Sequence, residues 1–233
     1  LKVELLAHTG GETIAALAAK LCYSDATIGD LLDKVTSGEQ QTFLEKIASM
    51  GHHSVFEHLS FTFGIEGISR ALTHQLVRHR IASYSQKSQR YVKHGGGFEH
   101  IIPPSVAENP DAAAEYAKIM DSIAESYDKL AKLGIAAEDA RYVLPNACET
   151  KIIVTMNARE LMHFFKVRCC NRAQWEIREM AIEMYKKAYP VAPSIMASAG
   201  PACVHGACSE GKMTCGKAKE VRQFFSDLSS QFK

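Results

Sequence analysis

The feature that most constrains this chain is a long stretch that carries six cations and no acidic side chain. Residues 68–98 read ISRALTHQLVRHRIASYSQKSQRYVKHGGGF. The six cations are Arg70, Arg78, Arg80, Lys87, Arg90 and Lys93, and the stretch also holds His74, His79 and His94. Since the whole chain has a formal charge of +1, removing these six charges leaves −5 for the rest. Like charges held this close repel one another unless an anion lies among them. The stretch therefore predicts a site for an anionic ligand.

Hydrophobic spacing predicts that the basic stretch begins as a helix and continues as a serine-rich loop. Ile68, Leu72 and Leu76 recur at i, i+4 and i+8, which is typical of a helix with one apolar face. We expect this helix to end near Arg80. The polar residues of the loop are Ser83, Ser85, Ser88, Gln89 and Arg90. Guanidinium groups, hydroxyls and amides together bind phosphate. A simpler alternative is that the cations only favour the C-terminus of the helix.

The same stretch resembles the RHRxxSxxxxSxR signature of the flavin-dependent thymidylate synthases. The matching residues are Arg78, His79, Arg80, Ser83, Ser88 and Arg90. A histidine-rich turn at 51–58 and the run NRAQWEIR at 171–178 resemble further motifs of that family. The resemblance covers roughly residues 50–190. It implies an α+β fold with an antiparallel sheet and long helices, the thymidylate synthase-complementing type. It also implies a homotetramer whose active sites are shared between subunits.

Local patterns agree with an α+β protein, and we expect residues 1–233 to form one domain with a cysteine-rich tail at about 199–217. Alternating apolar residues or β-branched runs predict strands. These strands are expected at 2–8, 61–65 and 151–155. Helical periodicity predicts helices at 13–22, 40–50, 112–133, 159–167 and 175–188. The mixture is α+β because strands do not alternate regularly with crossover helices.

The resemblance implies a reaction that converts dUMP to dTMP. Methylenetetrahydrofolate would donate the carbon, and NADPH would supply reducing equivalents through bound FAD. An alternative is a nucleic-acid-binding module that uses the basic stretch against phosphates. A second alternative is a metal-dependent hydrolase built on His52, His53, Glu57 and His58, although their spacing does not match a common metal motif. The resemblance favours the synthase, with no nucleic-acid partner.

Residue roles follow from the resemblance alone. Arg178 would be the catalytic residue, contacting the uracil ring and favouring its N3-ionised form. The residues implied to bind dUMP are Gln75, Arg78, Gln86, Ser88, Gln89, Arg90 and Lys151. The residues implied to bind FAD are His52, Ser54, Arg78, His79, Arg80, Gln86, Arg168 and Arg172. No residue is assigned to a metal. The chain departs from familiar members at Gln86, Lys151 and Arg172, where glutamate, arginine and sometimes histidine stand.

Composition predicts a cytoplasmic protein with no membrane segment. The chain is 46% hydrophobic, yet no apolar run approaches the ~20 residues that span a bilayer. The first residues, LKVELLAHTG, lack the basic-then-apolar order of a signal peptide. Seven cysteines suit a reducing compartment better than a disulfide framework. In the tail, Cys203, His205, Cys208 and Cys215 could in principle bind zinc, but their spacing is not the usual CxxC, so the sequence leaves this open.

Overall fold

The computed structural model describes residues 1–36, 40–91 and 97–232. Within these ranges the strands are β1 Lys2–His8, β2 Ser60–Ser69, β3 Ala82–Gln86 and β4 Glu149–Asn157. The first helices are α1 Glu12–Leu21, α2 Ile28–Thr36, α3 Gln41–Ser49, α4 Arg70–Leu76, α5 Pro104–Ala107 and α6 Pro110–Lys132. The remaining helices are α7 Ala137–Ala140, α8 Ala158–Arg168, α9 Trp175–Ala188, α10 Pro193–Met196, α11 Ala202–His205 and α12 Ala218–Ser230. Short 3₁₀ turns lie at His53–His58, Arg141–Val143 and Gly211–Met213.

The strands form one antiparallel sheet in the order β1-β2-β4-β3. Strand β1 lies at its edge, as its short alternating pattern predicts. In β2, Phe61, Phe63 and Ile65 are buried while their neighbours are not, which places one face against a core. The α+β class is thus confirmed.

Contacts within the chain define two compact units. The first consists of Leu1–Lys2, Ile65–Arg78 and Ser85–Ile153, and the second of Val3–Gly64, His79–Tyr84 and Val154–Lys233. In the first unit, α6 buries Met120 and Tyr127, and its N-terminus is capped by the side chain of Asn109. In the second unit, Tyr185 packs edge-on against Phe165 and Phe225, with ring centroids 5.4 and 5.3 Å apart. Such aromatic pairs supply much of the burial in a core of this size.

The basic stretch differs from its prediction in two places. Helix α4 is capped by Ser69, whose hydroxyl accepts from the Leu72 amide, but it ends at Leu76 and not near Arg80. The first part of the expected serine-rich loop, with Ser83 and Ser85, is strand β3, in which half-buried and exposed residues alternate, whereas Ser88, Gln89 and Arg90 follow it without strand or helix structure. Just beyond β3, the Lys87 amide donates to the Lys151 carbonyl at 3.0 Å. Serine is compatible with a strand whose backbone finds a partner, so the polar composition was misleading.

The other predicted helices are confirmed to within two or three residues, and α9 matches its predicted bounds. Helix α2 was not predicted. Its buried residues, Leu31 and Val35, are one turn apart, but only two such positions are too few for a clear period. None of the described helices is both long and apolar enough to cross a bilayer.

Candidate functional site

His79 is buried in the second unit, and both of its ring nitrogens are hydrogen-bonded. Nδ1 lies 3.2 Å from Oε1 of Glu160, and Nε of Arg168 lies 3.1 Å from Nε2. A guanidinium only donates, so Nε2 must accept and the ring proton must sit on Nδ1, from which it is donated to Glu160. The imidazole is therefore neutral and connects a carboxylate to a guanidinium.

Both hydrogen-bond partners of the His79 ring come from helix α8, because their spacing places them on the same side of that helix. Glu160 and Arg168 stand eight residues apart, and positions i, i+4 and i+8 of a helix share one side. Asn157 fixes the start of α8, since its side chain accepts from the Glu160 amide at 2.9 Å.

Burial shifts the protonation of this cluster. Desolvation lowers the pKa of His79 to about 4, and the charges of Arg168 and His163 act in the same direction. Desolvation also raises the pKa of Glu160, against a smaller opposite effect of His163. Tyr84 donates its hydroxyl to the His79 carbonyl at 2.7 Å, and burial raises its pKa to about 12. At neutral pH the buried histidine carries no charge.

The larger cavity of the second unit has a volume of about 720 Å³. Glu57 and Arg159 form an ion pair at its wall. The polar and charged side chains that line it are His53, Glu57, Asn157, Arg159, Glu160, His163, Lys166, Ser198 and His205. None of the residues predicted to bind FAD is among the described residues that line this cavity, although His52 and Arg80 are sequence neighbours of the lining residues His53 and Ile81.

Sequence reasoning missed Arg159, His163 and Lys166 as candidate site residues. A signal for them was present, because positions i, i+4 and i+7 share one face of a helix, and α8 points that face into the larger cavity.

A smaller cavity of about 280 Å³ in the second unit is lined by Arg168 and Arg172, two of the residues predicted to bind FAD. Lys166 also lines it, and Glu210 supplies an opposing charge. Arg168 is half-buried, and desolvation lowers its pKa, whereas Arg172 is exposed. The cations of α8 and of the loop after it therefore gather at this cavity.

Arg178 lies in the first turn of α9. Gln174 caps that helix by accepting from the amides of Glu176 and Ile177, both at 3.2 Å. The Nε atom of Arg178 is buried and finds no hydrogen-bond partner among the residues the structure describes. A buried donor without a partner costs roughly 1–3 kcal/mol, so its position requires an explanation.

The predicted dUMP residues all lie in the first unit: Gln75, Arg78, Gln86, Ser88, Gln89, Arg90 and Lys151. The predicted FAD residues His52, Ser54, His79, Arg80, Arg168 and Arg172 lie in the second unit, with Arg178, while Arg78 and Gln86 belong to the first. Lys93 and His94 lie outside the described residues.

Gln86 is held by two hydroxyls. Its Nε2 lies 3.1 Å from Oγ1 of Thr73 and 3.3 Å from Oγ1 of Thr150. Both threonines are buried and Gln86 itself is half-buried. The amide nitrogen is therefore turned into the first unit. Nearby, the Gln89 side chain hydrogen-bonds to the Cys148 thiol.

Arg90, one of the six cations of the basic stretch, is paired with an acid, which corrects the expectation that it is uncompensated. Lys151, which was predicted to bind dUMP, is paired as well. Nε and a terminal nitrogen of Arg90 lie 3.1 and 2.8 Å from Oε2 of Glu138. Lys151 lies 3.8 Å from Glu66. Both pairs are exposed, and such pairs are worth about 0–1 kcal/mol. The acids come from distant parts of the sequence, so the acid-free stretch gave no sign of them.

The histidine-rich turn is a 3₁₀ helix, His53–His58, and Ser54 does not cap it with its side chain. His53 Nε2 lies 3.1 Å from the Ala48 carbonyl, and Glu57 pairs with Arg159. Two of the ligands invoked for a metal-dependent hydrolase are thus already used within the protein. His52 and Ser54 are exposed.

Among the described residues, one group has the close spacing of metal ligands: His79, Glu160 and His163, within 4.8 Å of one another. The neutral His79 already uses Nδ1 toward Glu160 and Nε2 toward Arg168. Hydrogen bonding therefore explains why His79 and Glu160 converge.

The chain is similar to known proteins along nearly its whole length. A family model described as "Thymidylate synthase complementing protein" matches residues 4–194. A protein of Geobacter sulfurreducens named flavin-dependent thymidylate synthase is 56% identical over 231 residues, covering 98% of this chain and 100% of that protein. Proteins of the same name from Clostridium tetani and Pyrococcus horikoshii are 48% and 42% identical, covering 96% and 99% of each chain.

Both the family model and the full-length relatives lead to the same assignment, so the chain belongs to the thymidylate synthase complementing protein family.

Proposed function

We propose that this chain is a flavin-dependent thymidylate synthase, a methyltransferase that reductively methylates dUMP to dTMP with methylenetetrahydrofolate as carbon donor. The observation that carries this function is end-to-end similarity to relatives of that name, at 56% identity for the protein of Geobacter sulfurreducens. The nucleic-acid-binding alternative receives no support from these relatives.

The cofactor is FAD, which when bound supplies the hydride chemistry that amino-acid side chains lack. The larger cavity, at about 720 Å³, falls within the roughly 300–1,000 Å³ typical of ligand sites. Its cations Arg159 and Lys166 suit a pyrophosphate, and the smaller cavity adds Arg168 and Arg172. We propose that these residues hold FAD together with His52, Ser54, Arg78, Arg80 and Gln86. His79 would act by holding Arg168, since both of its ring nitrogens are engaged within the protein.

For dUMP we propose the polar residues of the first unit. Ser88 Oγ accepts from the Arg90 amide at 3.1 Å, which fixes a tight turn with a hydroxyl and a guanidinium close together. These groups would bind the phosphate, with Lys151 close to the phosphate or sugar. Gln75 and Arg78 lie on and just after α4, and Gln89 lies in the same turn as Ser88. Gln86 turns its nitrogen toward two threonines, so its oxygen is the atom that can accept from a ligand.

Arg178 would act on the pyrimidine ring. Its Nε is a buried donor without a partner among the described residues, which is the arrangement expected of a group that awaits a ligand acceptor. A guanidinium stays protonated at working pH and can stabilise an ionised N3 through charge-assisted hydrogen bonds. Preorganised donors of this kind need no rearrangement when charge develops on the ring.

We further propose NADPH as the reductant, a homotetramer with shared active sites, a single catalytic domain and a cytoplasmic location. Support for subunit contacts comes from large apolar side chains that are exposed in the chain. Tyr23 and Tyr142 are each 82% exposed and Leu133 is 77% exposed. Association would remove such surface from water.

The function is tested by incubating the purified protein with dUMP, methylenetetrahydrofolate, NADPH and FAD, and by measuring dTMP chromatographically. Product should form, and omission of FAD from flavin-stripped protein should abolish it. Replacing NADPH with NADH tests the reductant separately. If flavin-loaded protein forms no dTMP although its flavin is reduced, the proposed function is wrong.

A further inference from the structure

Four thiols come together in the second unit, next to Arg168 and Arg172, two of the residues that we propose hold FAD. The tail thiol cluster consists of Cys170, Cys203, Cys208 and Cys215. Cys170 follows α8, whereas the other three belong to the C-terminal tail. Cys203 is buried and the other three are half-buried. Cysteines from two separate segments therefore share one region of the fold.

Several contacts define this cluster. Cys170, Cys203 and Cys208 line the same small cavity. Cys215 is tied to the neighbour of Cys170, because Nδ2 of Asn171 donates to its sulfur at 3.8 Å. The shared cavity and the Asn171 contact therefore bring the four thiols into one region of the fold.

We propose that the tail thiol cluster is a tetrahedral four-thiolate site for one zinc ion. Four sulfurs are the ligand set of structural zinc sites, which leave no coordination position open for a substrate. Each thiol would release one proton on binding, giving a site with a net charge of −2. The metal would crosslink the C-terminal tail to Cys170, just after the end of α8.

Charge around the cluster suits such a site. Lys166, Arg168 and Arg172 line the cavity that the thiols share, against the single acid Glu210. Cations lower the cost of deprotonating thiols and of holding a doubly negative centre. The Asn171 amide supplies the kind of N–H to sulfur contact that orients metal-bound thiolates.

Hydrogen bonds from α12 fix part of the tail backbone, which supports the loop that carries the proposed zinc ligands. Arg222 of α12 donates from Nε to the Cys203 carbonyl at 2.7 Å and from a terminal nitrogen to the Gly206 carbonyl at 3.0 Å. Cys215 is followed by Gly216 at φ +74°, a left-handed turn that glycine adopts without strain. The tail backbone is thus held by α12 at Cys203 and Gly206, and it makes a glycine turn directly after Cys215.

Zinc binding would bring the four sulfur atoms of the cluster closer together. Among the described residues no three of these sulfurs lie within 4.8 Å of one another. Tetrahedral zinc with Zn–S bonds of about 2.3 Å brings its sulfurs to roughly 3.8 Å. The ion would therefore draw the Cys208 and Cys215 segments inward, and zinc should protect the tail from proteolysis.

His205 is not a ligand in this site, although its sequence position suggested one. Its Nε2 lies 3.0 Å from the Ala199 carbonyl, and its ring lines the larger cavity. Cys170, which lies more than thirty residues earlier in the chain, takes the fourth position. The two ligand sets make opposite predictions for substitutions at these residues.

The test uses the full-length protein, reduced and freed of metal, and measures metal instead of turnover. After dialysis against zinc and then buffer, elemental analysis should give one zinc per chain. Each substitution Cys170→Ser, Cys203→Ser, Cys208→Ser and Cys215→Ser should lose most of that zinc. Cys22→Ser, at an exposed thiol elsewhere in the same unit, is the matched control and should retain it, as should His205→Ala.

A second measurement avoids variants that fold poorly. In the wild-type protein, zinc should block alkylation of the four clustered thiols but not of Cys22, as mapped by mass spectrometry. Co²⁺ should give the visible absorption of a tetrahedral thiolate complex. Absence of stoichiometric zinc, bound iron with sulfide, or retention of zinc by Cys170→Ser together with its loss from His205→Ala would each overturn the proposal.

Discussion

Arg168 and His79 meet through two nitrogen atoms 3.1 Å apart, a contact that is attractive only while the imidazole is neutral. A protonated His79 would present an N–H to a guanidinium and replace a hydrogen bond by like-charge repulsion. Arg168 is among the residues proposed to hold FAD. The protonation of a buried histidine is therefore linked to the position of a cofactor-binding cation.

This linkage predicts that His79 makes the protein more stable as pH rises from about 4 to 6.5. The pKa of His79 is about 4 in the fold against an ordinary value of 6.5. Within that window the unfolded chain binds a proton that the folded chain does not, so lowering the pH favours unfolding. The contribution amounts to roughly 3 kcal/mol at most. Denaturant unfolding at a series of pH values measures it.

The matched variant is His79→Gln, which removes the titration and keeps a side chain able to donate and accept. Its stability should vary less with pH across the same window. The pKa of Glu160 is raised by burial, so Glu160 works in the opposite direction, but it is present in both proteins. Equal pH dependence in the two proteins would contradict the neutral assignment of His79.

Arg178→Ala should impair dUMP turnover far more than flavin reduction. Loss of a preorganised donor typically costs on the order of 10²–10³ in rate. Rapid mixing separates the two half-reactions: reduction of bound flavin by NADPH, and its reoxidation with dUMP and methylenetetrahydrofolate. Arg178→Lys should recover part of the loss, because it keeps the charge without the planar fork. A wild-type rate of flavin reoxidation in the alanine variant would show that Arg178 has a structural role and does not act on the pyrimidine.

Ser88→Ala should weaken dUMP binding and leave measurable turnover. The Ser88 hydroxyl accepts from the Arg90 amide, and none of the described contacts of that hydroxyl involves a general base. An unassisted hydroxyl is a poor nucleophile, so a phosphate contact is the better role. Titration with dUMP and a kcat/KM comparison measure the effect. Unchanged dUMP affinity with complete loss of turnover would instead favour nucleophilic attack by Ser88.

Gln86→Glu should retain the fold and much of the activity, whereas Gln86→Leu should not. A carboxylate can accept from the hydroxyl of Thr150, while the hydroxyl of Thr73 keeps donating to the Arg70 carbonyl at 2.9 Å. Leucine removes the Gln86 partner of the buried Thr150 hydroxyl, at a cost of roughly 1–3 kcal/mol, whereas Thr73 keeps its bond to the Arg70 carbonyl. Thermal unfolding and dTMP formation should rank the three proteins in that order. A leucine variant as stable as wild type would show that these contacts contribute little.

Sequence patterns predicted the elements whose signals are local. Helix α9 begins where Gln174 can cap it, and β2 alternates apolar and small or polar residues. Strand β3 was missed because serine composition is not decisive, and its partner strand, β4, lies far along the chain. Propensity is only a weak prior where a distant strand supplies the hydrogen bonds.

The candidate site was predictable as a set of residues but not as a set of contacts. The neutral state of His79 depends on Glu160 and Arg168, which are more than eighty positions away. Composition could count the cations of the basic stretch, but it could not show which acids oppose them. Contacts of this range are set by the fold, so no spacing rule along the sequence reveals them.

The exposed pair between Arg90 and Glu138 changes how substrate capture should be viewed. If Arg90 holds the dUMP phosphate, the carboxylate of Glu138 is a resident competitor, and binding becomes an exchange of one anion for another. The exchange costs little, since exposed pairs are worth about 0–1 kcal/mol. The pair also holds the Arg90 guanidinium in an ordered position before dUMP binds. Glu138→Gln should therefore bind dUMP more tightly at equilibrium, because the competing carboxylate is gone. The same change should leave the Arg90 guanidinium less ordered before dUMP binds.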